Sequence, residues 1–76
     1  PFNPSTIISY RLAASSKIHL NVYNVLGQKV KELVNGRQGK GLHHIRFNAA
    51  HLAAGVYYYR LQSGNRIRSR KMLLLR

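Results

Sequence analysis

The chain has no cysteine, no aspartate and a single glutamate, Glu32, among its 76 residues. Each absence removes a class of chemistry. Without cysteine, no disulfide can supplement the core and no thiolate can serve as nucleophile or metal ligand. With one carboxylate, the paired acids of glycoside hydrolysis cannot be assembled. Without aspartate, neither can a Ser-His-Asp arrangement. The longest apolar run near the end, Met72-Leu73-Leu74-Leu75, is far short of the roughly 20 residues a membrane-spanning helix needs.

Four histidines remain: His19, His43, His44 and His51. His43 and His44 are adjacent on an expected strand, so they point to opposite faces and do not chelate one ion together. No spacing resembles the three or four convergent ligands of a zinc site, and no glycine-rich phosphate loop precedes a helix. The sequence predicts a non-enzyme with no metal and no cofactor. The chain opens on Pro1 without a basic-then-apolar leader, and we expect one domain, residues 1–76, excised from a longer secreted protein.

What is present is positive charge. Thirteen Lys and Arg face one acid, for a formal net charge of +12. Such a surface attracts polyanions, lipopolysaccharide and acidic polysaccharide among them, and salt screens the attraction. Arg66, Arg68 and Arg70 alternate, so a regular strand presents them as one ladder. Two readings stand side by side: a solvated guard against edge-to-edge aggregation, or a docking stripe for phosphate or carboxylate. No recognition helix is available for the DNA major groove, so nucleic-acid binding is expected to be non-specific and salt-sensitive.

Apolar residues recur with the period of two that marks strands. Ile8, Tyr10 and Leu12 form one such run, and Ile18, Leu20 and Val22 another. A third strand is expected from Lys29 to Val34, followed by a loop over residues 35–41, where three glycines fall in seven residues. Ile45 and Phe47 then share a face. Asn48 is placed to cap a single helical turn through Leu52 that Gly55 ends. Three consecutive tyrosines make Val56–Gln62 a strand, with Tyr57, Tyr59 and Leu61 on one side. Ser63-Gly64-Asn65 is a hairpin signal. The last strand runs from Arg66 to about Leu75; Ile67 and Met72 differ in parity, which a bulge near Arg70 would reconcile. Six short strands without a convincing helix indicate an all-β sandwich or small barrel.

The motifs then resemble a family. Pro1-Phe2-Asn3-Pro4-Ser5-Thr6, Val22-Tyr23-Asn24-Val25-Leu26-Gly27, Leu52-Ala53-Ala54-Gly55-Val56-Tyr57-Tyr58-Tyr59-Arg60-Leu61 and the ending Lys71-Met72-Leu73-Leu74-Leu75-Arg76 are similar, in order and spacing, to the type A C-terminal sorting domain of the type IX secretion system. The Ig-like domain of flagellar hook-capping proteins shares much of this pattern. Asn24 and Asn48 stand where the family carries aspartate. The resemblance implies an Ig-like or fibronectin-III-like antiparallel sandwich of about seven strands. It also implies a sorting signal that directs a larger protein from the periplasm of a Gram-negative bacterium across the outer membrane to secretion or surface attachment. The implied partners are outer-membrane secretion and sortase proteins, with Gly27, Gly55, Tyr57, Lys71, Leu73 and Arg76 as recognition residues. A second expectation, from a different class, is a structural module retained at the surface that associates with itself or with an anionic polymer. A third and weaker one is a basic nucleic-acid-binding protein.

Overall fold

The computed structural model describes residues 5–74. Six strands follow in chain order: β1 Ser5–Leu12, β2 Ser16–Tyr23, β3 Lys29–Gln38, β4 Gly41–Asn48, β5 Gly55–Ser63 and β6 Arg66–Leu74. They form two antiparallel sheets, a two-stranded β1-β4 and a four-stranded β3-β2-β5-β6. The all-β sandwich is as expected, with six strands among the described residues rather than about seven.

Alternation explains the core. Ile8, Tyr10 and Leu12 of β1 face Ile18, Leu20 and Val22 of β2, and Phe47, Ala49 and Tyr57 close the cluster. β2 is hydrogen-bonded on both sides, to β3 and β5, and its three inward aliphatic side chains have no exposed surface. Two buried tyrosines need partners for their hydroxyls. Tyr57 donates to the Ala53 carbonyl at 2.8 Å, and Tyr10 donates to Gln38. Burial pushes the Tyr10 phenol above the usual tyrosine value.

Three local expectations change. The loop expected over 35–41 shrinks, because β3 continues to Gln38 and Gly36 pairs with Ile18 as ordinary strand; the chain crosses between sheets at Gly39 and Lys40. The helical turn after Asn48 is a tight turn instead. The Asn48 side chain accepts from the Ala50 amide at 2.9 Å, and the Leu52 amide bonds the Ala49 carbonyl at 3.0 Å. That closes one turn, and Gly55 then opens β5 at φ +150°. β6 has no bulge at Arg70, for its pairing with β5 runs unbroken from Ser63↔Arg66 to Gly55↔Leu74. The irregularities sit in β3, where pairing with β2 skips Leu33 and Val30. The β3 apolar residues Val30, Leu33 and Val34 do not alternate, and the two skipped residues let all three pack against the core.

Leu20→Ala is expected to cost about 2–5 kcal/mol in denaturant unfolding, because its site has rigid strands on both sides. Tyr57→Phe is expected to cost about 1 kcal/mol through the orphaned Ala53 carbonyl. Tyr10 gives a pH signature. Its folded value is raised, so its contribution is intact below the ordinary tyrosine value near 10 and is lost as pH rises through the folded one. Tyr10→Phe is expected to flatten that alkaline loss in pH-dependent denaturation curves.

Candidate functional site

The turn joining β2 to β3 is built on one amide side chain. Asn24 Oδ1 accepts from the backbone amides of Leu26 at 2.9 Å and Gln28 at 3.0 Å. Its Nδ2 donates to Gln28 Oε1 at 2.9 Å. The Gly27 amide returns to the Asn24 carbonyl at 3.0 Å, and Gly27 itself takes a left-handed φ of +80° that glycine adopts without strain. So fastened, the turn projects Val25 and Leu26 into solvent, 67% and 78% exposed.

Pairing places this turn beside the outer face of β5 and β6. Tyr23 lies opposite Tyr58, and Tyr58 opposite Lys71. The Arg60 guanidinium donates to the Tyr23 hydroxyl at 2.9 Å and sits 4.9 Å from the centre of its ring. A shallow recess of about 280 Å³ lies between Tyr23, Val25, Gly27, Tyr58 and Arg60. Leu73, opposite Val56, is 64% exposed on this same face.

The arginine ladder lies on the other face. Arg66, Arg68 and Arg70 pair with Ser63, Leu61 and Tyr59, and paired residues share a side, so the ladder points inward with Tyr59 and Leu61. Met72 and Leu74 continue that row and pack against the core. The arginines lie beyond the cover of the small sheet and stay exposed. They line one side of an open cleft of about 890 Å³ whose opposite side is β1. The one acid, Glu32, is engaged by Lys29 at 3.5 Å on β3, so no carboxylate faces the ladder among the described residues.

The expected recognition residues therefore divide. Gly27, Lys71 and Leu73 gather at one end of the four-stranded sheet, on its outer face. Gly55 begins β5 at that same end, opposite Leu74. Tyr57 is turned into the core and bonded to Ala53, where it supports the β4–β5 connection. Arg76 lies outside the described residues, as do Pro1 to Pro4. Sequence reasoning did not single out Leu26 or the Tyr23–Arg60 pair. The exposure of Leu26 was visible in its place between Asn24 and Gly27, a turn signal, whereas the pair depends on strand register. His43 and His44 diverge, one stacked on Tyr10 with ring centres 5.3 Å apart, the other at 2.8 Å from the Ser9 hydroxyl. Among the described residues no three His, Cys, Asp or Glu side chains converge.

Fold and surface together define a small all-β module whose distinctive residues lie on exposed turns and strand faces. Residues 1–75 match the family described as the secretion system C-terminal sorting domain. The chain belongs to that family, and it is a C-terminal sorting signal of type IX secretion. No curated protein and no solved structure matches it at a significant level.

The turn gives a direct test. A Cβ on Gly27 meets open space, so Gly27→Ala is expected to cost about 1 kcal/mol from backbone strain alone. Asn24→Ala is expected to loosen Leu26, read as faster amide exchange there. Asn24→Asp, which keeps the accepting oxygen, is expected to preserve the turn.

Proposed function

We propose that the outer-membrane secretion machinery reads this domain at the end of the four-stranded sheet where the Gly27 turn, Gly55, Lys71 and Leu73 gather. The domain acts there as an address and does no chemistry of its own. Its cargo, a larger protein from the periplasm of a Gram-negative bacterium, is delivered to the outside and attached at the surface by a sortase.

The observation that carries this reading is the exposure of Leu26 and Leu73 on an ordered surface that also carries the basic side chains of Arg60 and Lys71. Apolar anchors within a charged rim are the usual anatomy of a protein-binding patch. Lipopolysaccharide, as an anionic surface, complements the +12 charge without requiring a shaped site.

The test is a fusion of residues 1–76 behind a periplasm-targeted fluorescent protein, in a host with the type IX system and in the same host lacking the translocon. Surface fluorescence is expected only with the translocon present. Leu26→Ser with Leu73→Ser is expected to lower it by about tenfold or more, as loss of two anchors does, while the circular dichroism of the purified domain is unchanged. A reporter that stays periplasmic in both hosts would falsify the address reading. Normal export of the double variant would move recognition away from this end.

A further inference from the structure

Basic side chains gather at the end of the sandwich away from the Gly27 turn. Lys17 and Arg37 stand directly opposite each other on β2 and β3, and both are exposed. Arg11, opposite Leu42 near the end of β1, and Lys40, at the crossing from β3 to β4, are exposed at the same end. The crossing is fastened on both sides of Lys40. His43 Nε2 donates to the Gly39 carbonyl at 2.7 Å, and the Tyr10 hydroxyl bonds Gln38. Like charges directly opposite one another on neighbouring strands destabilise a sheet, and no acid offsets the Lys17–Arg37 pair. The single acidic side chain of the sequence, Glu32, lies opposite Asn21, about 14 Å along β2 from Lys17, and is engaged by Lys29.

We infer that this end docks the domain on an anionic lipid bilayer, through the headgroup phosphates. Arg11, Lys17, Arg37 and Lys40, with no acid beside them, are the charge complement of such a surface. Their placement selects a plane rather than a groove. They come from the end of β1, from the β2–β3 pair and from the crossing between the sheets, so they spread across the end of the sandwich instead of following one track. A threaded single strand of nucleic acid uses a basic groove with aromatic rings for its bases, and the tyrosine at this end, Tyr10, is buried against His43. A protein interface is built around an apolar centre depleted of charge. The nearest exposed large apolar side chains, Leu42 and Ile67, lie on opposite outer faces of the sandwich and form no such centre. Docked in this way, the domain holds the Gly27 turn, about 20 Å further along β2, away from the lipid. The docking does not depend on how that far end is read.

The experiment uses the 76-residue chain and vesicles of phosphatidylglycerol and phosphatidylcholine in equal parts, with phosphatidylcholine alone as control. Binding is read by cosedimentation at about 0.15 M salt, where a charge acts over only about 8 Å. The chain is expected to bind the mixed vesicles and not the neutral ones. Each basic side chain at the surface contributes about fivefold, so Lys17→Gln with Arg37→Gln and Lys40→Gln is expected to weaken binding about hundredfold. A second triple variant, Lys31→Gln with Arg46→Gln and Lys71→Gln, has the same net charge and keeps the basic end; it is expected to lose less than about tenfold. All six side chains are exposed, so both variants are expected to keep the circular dichroism of the native chain, and the first to melt no lower, since it relieves the Lys17–Arg37 repulsion. Vesicles are expected to slow amide exchange at residues 13–16 and 39–40 and to leave Leu26 unaffected. Equal losses in the two variants would make the attraction a property of net charge and overturn the inference, as would protection of Leu26 in place of the basic end. Inorganic polyphosphate is the soluble source of the same chemistry. If it binds as tightly as the mixed vesicles and loses as much in the first variant, the end serves soluble polyanions and the lipid assignment is overturned.

Discussion

The inward face of β2 is the constraint on which this small molecule depends. Ile18, Leu20 and Val22 are sealed because β3 and β5 hold the strand on both sides while β1 and Phe47 lie over it. In a 76-residue chain with no disulfide, little else can carry stability. The registers of β3 and β5 are fixed by β2, β6 is fixed in turn by β5, and a one-residue slip would carry apolar side chains to the wrong face. The buried tyrosine hydroxyls add direction to this packing, tying β1 to Gln38 at the end of β3, and β5 to the connection before it.

Among the described residues two strands lie over four, which leaves a covered part and an uncovered part, and the sequence respects the boundary. Along the inward row of β6, Met72 and Leu74 pack against the core while Arg66, Arg68 and Arg70 stand outside it. A residue's place along the strand, as well as its parity, decides whether it is apolar. Inward charge on an edge strand also discourages indiscriminate sheet growth. The +12 balance works in the same direction, since copies of the domain repel one another.

Much of this was legible in the residues. β1, β2 and β5 alternate cleanly, and their inward sets were read correctly, as was the all-β class. β3 was cut short because its apolar residues suit a strand only when two are skipped in pairing, and its glycines imitate a loop. β6 was misjudged for a different reason. Its apparent change of parity assumed that Ile67 must be buried, whereas pairing leaves it outside and 57% exposed. Among the site residues, Gly27 and Gly55 were visible because positive φ is written in glycine. Tyr57 was visible as an inward aromatic, with its partner out of view. The recess formed by Tyr23, Arg60 and the Gly27 turn joins segments more than thirty residues apart, and no local pattern reports such a meeting.

The amide oxygens of Asn24 and Asn48 hold two connections together in the way an aspartate carboxylate would. An amide gives the same acceptor without a proton-binding site. Acid unfolds many proteins by protonating carboxylates that are bonded in the native state. In these two connections that lever has been removed, and Asn24 also gains an amide N–H donor for Gln28 that a carboxylate could not provide. The near absence of acids is therefore more than a charge bias. It makes the shape of the exposed β2–β3 turn indifferent to the acidity of whatever compartment the domain passes through.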